Sequence, residues 1–195
     1  MSKAQPWLLG LGLSALAFAC GSDDSDPASM TPSQEMAAHA PTDHDQTPPT
    51  EVAALEAWLA KGAYKEWQCE PEVHRSRSPS PHGYNRICSN EAISEHIEGD
   101  APWPRGAAAV KELYDGLDRT TPKGYAVYVK TEADSADGAN WYWYERTERG
   151  VVVDGLGGQN PAKSNCVGCH AGAGADHDHT RTEGGRDQVY TPVAL

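Results

Sequence analysis

The sequence predicts an α+β domain in which an antiparallel β-sheet packs with a few short helices. Two observations lead there. After Gly106 the apolar period is two in three runs, Ala107–Asp115, Gly124–Thr131 and Asn140–Thr147, rich in Val, Tyr and Trp and separated by turn residues. Their lengths and spacings suit antiparallel hairpins with modest loops. Helical period, by contrast, is confined to short stretches before that point.

Taken in order, the chain opens with one positive charge, Lys3, followed by an apolar run from Leu8 to Ala19. Such a run fits a secretory signal and is too short to span a bilayer as a helix. It ends Leu16-Ala17-Phe18-Ala19-Cys20-Gly21-Ser22, with small residues around a cysteine. This resembles the lipobox of bacterial lipoproteins, although Ala17 stands where leucine is usual. The resemblance implies that residues 1–20 hold a lipoprotein signal peptide and that Cys20 is lipidated. An ordinary signal peptide cut nearby is the alternative. Either way the protein is exported. Gly21 and Ser22 after the cysteine imply, through the same resemblance, an outer-membrane lipoprotein on the periplasmic side, touching the membrane only through its lipid anchor.

Residues 21–50 are rich in Ser, Asp, Pro, Thr and Ala, and they contain no Lys or Arg. Asp23, Asp24, Asp26, Glu35, Asp43 and Asp45 carry about half of the formal charge of −12. With too little apolar content to offset ordering, the stretch reads as an acidic, disordered tether reaching roughly 30 Å. His39 and His44 belong to its solvated surface. The remaining 51–195 segment is still net negative, which argues against nucleic acid or an anionic membrane surface as a partner.

Residues 51–195 make one domain of ordinary size. Val52, Leu55, Trp58 and Leu59 gather on one side of a predicted helix over Glu51–Gln68, with Thr50 as N-cap and Gly62 as a break. A Ser-, Pro- and Arg-rich loop (His74–Gly83) leads to a short strand at Tyr84–Cys88, and Asn90–Ile97 reads as a short helix. The three period-two runs follow. Val151–Asp154 is a candidate fourth strand, and Gly155–Pro161 is a loop.

That loop delivers the chain to Cys166-Val167-Gly168-Cys169-His170. Two cysteines three apart, with a histidine directly after the second, form the attachment motif for one covalent c-type haem. Each thiol adds to one haem vinyl group, and a two-residue gap on a helical turn brings both sulfurs to the same edge of the ring. His170 is then carried under the iron as proximal ligand. A zinc site would need a second ligand pair, which Cys69 and Cys88 do not supply at that spacing. A thioredoxin-like pair would need a βαβ unit, absent upstream.

Of five cysteines, Cys20 is assigned to lipid and Cys166 and Cys169 to haem, leaving Cys69 and Cys88 as a disulfide in an oxidising periplasm. The methionines are Met1, Met30 and Met36, all in the leader or tether. A Met-ligated electron carrier is therefore disfavoured. His74, His82 and His96 are the candidates for a sixth imidazole, but surface placement is the default, so five-coordinate iron is expected. Asp176-His177-Asp178-His179 reads as a solvated loop.

A β-rich domain with its haem motif at the C-terminal end resembles the cytochrome P-460 family, which includes the cytochromes c′-beta. Tyr64-Lys65-Glu66-Trp67, Trp103-Pro104-Arg105-Gly106 with Ala109-Val110-Lys111-Glu112-Leu113, Asn140-Trp141-Tyr142-Trp143-Tyr144, Asn165–Ala171 and Asp187-Gln188-Val189-Tyr190 match its elements in order. The resemblance implies that Lys111 is the catalytic lysine, bonded to the haem ring in hydroxylamine-oxidising members. Alternation places it on the face of Ala109 and Leu113, opposite Val110, Glu112 and Tyr114.

Two departures restrain that reading. Ala126 stands where the oxidases carry a distal glutamate, and Glu132 falls in a turn. The phenylalanine cap of cytochrome c′-beta has no counterpart, so any cap must come from Trp103, Tyr125, Tyr128, Trp141 or Trp143. Three classes of function remain. The first binds a small ligand such as nitric oxide at an open iron, or does redox chemistry on small nitrogen compounds. The second is a hydroxylamine oxidase with Lys111 cross-linked, and the third a six-coordinate carrier serving a partner protein. The resemblance also allows a homodimer formed through the sheet.

Overall fold

The computed structural model describes residues 47–76, 80–99, 101–173 and 185–190. Cys20, the rest of the predicted leader, the predicted tether up to residue 46 and Asp176–His179 lie outside the described residues. Thr47–Thr50, at the end of the predicted tether, already adjoin the domain, with Pro48 buried.

Leu55, Trp58 and Leu59 are buried along one side of helix α1 (Val52–Lys61). The cap is Glu51, not Thr50: its carboxylate accepts from Ala53 N at 3.2 Å and Ala54 N at 3.0 Å. Gly62 ends the helix at φ 73°, a left-handed conformation that favours glycine. The predicted helix therefore stops seven residues early. A 3₁₀ turn, Ala63–Glu66, carries the chain into strand β1 (Gln68–Cys69).

Two short pieces, β1 and β2 (His74–Arg75), both pair with β3 (Tyr84–Ser89). Asn90 precedes α2 (Glu91–Ser94), about half the predicted length. The period-two runs become β4 (Ala108–Tyr114), β5 (Gly124–Lys130) and β6 (Trp141–Thr147), each within a residue or two of expectation. The fourth strand expected at Val151–Asp154 is a longer one, β7 (Gly150–Leu156). With β3 these form a continuous antiparallel sheet in the order β3-β4-β5-β6-β7.

The sheet has two covered faces. On one, α1 and the 3₁₀ turn bring Leu55, Trp58, Leu59 and Tyr64 against Val110, Val127, Val129 and Tyr144. Glu112, predicted to face this way, is buried and accepts 2.7 Å hydrogen bonds from the hydroxyls of Tyr64 and Tyr114. Burial and these bonds hold both phenols above their ordinary range. The opposite face carries Trp103, Trp141, Trp143, Ala109 and Val153 beneath Ile93, Ala162 and Val189.

Cys69 and Cys88 sit directly opposite each other in the β1–β3 register and form a disulfide across 19 residues of sequence. Closing such a loop limits the unfolded chain. Cys69→Ser/Cys88→Ser should lower stability by about 3 kcal/mol, read as an earlier denaturant midpoint of the holoprotein, with a steeper slope because the released chain unfolds further.

Candidate functional site

On the second face, antiparallel register lines up one residue from each strand. The row runs Ile87, Lys111, Ala126, Glu145, Val153. Directly opposed residues point to the same side of a sheet. Lys111 is the only position in β4 that is not buried, with buried neighbours before and after it. Between Lys111 and Glu145 stands the methyl group of Ala126, which leaves the row open at its centre. A break in β6–β7 register falls between Glu145 and Arg146, where β7 carries Val152 as an extra residue. Bulges of this kind re-aim side chains beside functional sites.

A carboxylate therefore does stand beside Lys111. It arrives from β6, across from Ala126, which stands where the family's oxidases carry theirs on β5. A strand-by-strand reading of periodicity carries no information on which residue of the next strand lies opposite.

His82 approaches the same place from the loop before β3, with Nδ1 3.8 Å from Glu145 Oε1. Burial, then the charge of Lys111 and then that of His170, hold its pKa down to about 3. Burial raises Glu145 above the ordinary carboxylate range, and Lys111 partly offsets this. Of the three histidines considered as ligands, His82 is thus the one facing the cluster. His74 is engaged elsewhere, with Nε2 2.8 Å from Glu70 Oε2 and Nδ1 2.8 Å from Arg75 O. His96 is exposed beyond α2.

The Cys-x-x-Cys-His stretch coils against this face. A π-helical turn, Lys163–Val167, runs into a helical turn, α3 (Gly168–His170). Cys166 and Cys169 are free, half-buried thiols. Burial pushes the Cys166 thiol up to about 12, with Glu145 and Cys169 adding to the shift. The His170 ring packs edge-on to three aromatics, with centroids 4.6 Å from Trp143, 5.8 Å from Tyr128 and 5.6 Å from Tyr190. Its Nδ1 lies 2.7 Å from Gln188 O, so the neutral ring donates there and leaves Nε2 as its lone-pair nitrogen. Burial, reinforced by Lys111 and opposed by the Gln188 carbonyl, holds its pKa down to about 4.

Of the five aromatics proposed as a cap, Tyr128 and Trp143 reach the imidazole. Trp141 packs on both, 5.5 Å from Tyr128 and 6.3 Å from Trp143. Trp103 is held by Arg186, whose guanidinium lies 3.6 Å from its ring. Tyr125 is excluded: it faces α1, 6.2 Å from Tyr64.

Residues 62–191 match the family model for cytochrome P460. The chain belongs to the cytochrome P460 family. No curated protein matches it. Membership makes this a haem cytochrome of c type, and the site suits that cofactor. The donor set of a cytochrome P460 domain is present: two unoxidised thiols and a neutral imidazole with a free nitrogen. The buried Trp143 Nε1 and Gln188 Oε1 beside it have no hydrogen-bond partner among the described residues. Cys69 and Cys88, tied to each other, are withdrawn from any zinc site.

Proposed function

We propose that the chain is an exported c-type cytochrome whose single haem is bonded through Cys166 and Cys169 and ligated by His170. That haem would bind small nitrogenous ligands. The observation that carries this reading is the row Lys111–Ala126–Glu145 on the face that also holds His170. A haem held by these residues would supply redox-active iron for electron exchange with a small nitrogen compound and a partner protein.

The chain's own residues do the rest. Glu145, poised by burial, accepts a proton from an N–H or O–H of the substrate. As an ammonium, Lys111 would balance the negative charge left on the substrate; in the oxidase reading its amine would instead be the group attached to the haem. His82 stands 3.8 Å from Glu145 as a neutral imidazole and lines the same site. Tyr128, Trp141 and Trp143 would keep bulk water from the His170 side of the haem. A ligand with protons to lose, such as hydroxylamine, uses all of these groups. Nitric oxide uses only the open iron and the apolar wall.

Export through residues 1–20 and anchoring by lipidated Cys20 would place the domain on the periplasmic side of the outer membrane. No described helix is long and apolar enough to cross a membrane.

The decisive measurement is the absorption spectrum of the holoprotein, oxidised and then reduced with dithionite. A broad ferrous Soret band far to the red is expected if Lys111 is bonded to haem, and Lys111→Ala should abolish it. A normal five-coordinate ferrous spectrum that shifts with nitric oxide would instead favour ligand binding. Sharp low-spin bands unmoved by added ligand would sink both and leave a six-coordinate carrier, with His82 as the sixth ligand.

A further inference from the structure

Beyond the motif, the chain returns as a small hairpin, β8 (Gly185–Arg186) and β9 (Val189–Tyr190). Its two central residues, Asp187 and Gln188, have φ of 41° and 68°. Tight hairpins require this left-handed backbone, and side chains other than glycine's adopt it at a cost. Something must hold the turn in place.

Asp187 Oδ2 accepts from Lys130 Nζ at 2.6 Å, and both side chains are fully buried. Lys130 ends β5 on the site face, where its ammonium lies 5.8 Å from the Trp141 ring. Nearby, Trp103 Nε1 donates to Arg186 O at 3.0 Å. Two residues further along the turn, the carbonyl of Gln188 lies 2.7 Å from His170 Nδ1. Tyr190 closes the other side, its hydroxyl donating to Cys169 O at 2.7 Å.

We propose that Lys130 and Asp187 are positioning residues for His170: their buried ion pair locks the turn that aims the Gln188 carbonyl at Nδ1. The inference rests on the reading of His170 as axial ligand. The carbonyl selects the tautomer with Nε2 free, orients the ring, and gives the imidazole partial anionic character. A stronger donor on the iron follows, as with other ligand histidines held by outer hydrogen bonds. A fixed charge pair suits this task because its geometry is short and directional in a water-free setting. The one-residue step from Asp187 to Gln188 transmits that geometry to the ligand.

The test compares wild-type holoprotein with Lys130→Met, Asp187→Asn, Lys130→Arg and the double variant Lys130→Met/Asp187→Asn. The double variant leaves no lone buried charge and so keeps a fold to measure. The readouts are the iron–histidine stretch in the ferrous resonance Raman spectrum and the reduction potential. Expected are a lower stretching frequency and a higher potential in Lys130→Met, Asp187→Asn and the double variant, with Lys130→Arg close to wild type. A double variant with wild-type frequency and potential would overturn the proposal, reducing the pair to a structural contact. So would a shift in Lys130→Arg as large as in Lys130→Met. Failure of the underlying reading looks different: wild-type protein would then give no iron–histidine stretch at all.

Discussion

Replacing Glu145 with glutamine should slow oxidation of hydroxylamine by about a hundredfold or more, the usual loss when a positioned general base is removed. The amide keeps the shape but cannot take the proton. The pH profile should change with it. Because burial raises the Glu145 pKa, the acid limb of the wild-type rate should lie above the ordinary carboxylate range, and it should vanish in Glu145→Gln. The stability sign is opposite to that of a salt-bridged carboxylate. A raised folded-state pKa means that the native protein binds the proton more tightly than the unfolded chain. Its cost to stability is therefore absent below the unfolded pKa and grows as pH rises through the folded one. At neutral pH the glutamine variant should melt no lower than wild type, which separates lost chemistry from lost fold. A rate within a few-fold of wild type would remove Glu145 from the mechanism and leave ligand binding as the better reading.

Cys166→Ala/Cys169→Ala should abolish covalent haem altogether. Both thioethers are lost, so haem-dependent peroxidase staining of a denaturing gel should fall to background and acid solvent should extract any residual haem. Each single variant should retain one bond, with its pyridine haemochrome band displaced to the red of wild type. These outcomes rest on both thiols being free and separated by only two residues on consecutive helical turns. Covalent haem persisting in the double variant would mean that another residue holds the ring, with Lys111 first in question.

Much of this molecule was legible in local pattern. Period-two alternation located β4, β5 and β6, and its parity put Lys111 and Glu112 on opposite faces, as the structure has them. The short span of Val151–Asp154 hid a seven-residue strand because β7 is an edge strand. Val151 and Val152 are both largely exposed there, at 43% and 44%, so the inside–outside alternation that marks a strand is blurred. Helix α1 was read too long, since Gly62 ends it where the apolar spacing alone would continue. The hairpin at 185–190 gave little signal: two-residue strands are too short for any period to register.

What the sequence by itself determined is chemistry that adjacent residues perform together: the haem-attachment motif, the strands of the sheet and the side of β4 on which Lys111 lies. Tertiary structure alone decided which distant residues join it. Glu145 meets Lys111 because three strands pair in one register, and a slip of a single residue would have turned its carboxylate to the other face. Lys130 meets Asp187 across 57 residues because the hairpin folds back over β5. Register and long-range packing depend on the whole sheet at once, so no local window of sequence contains them.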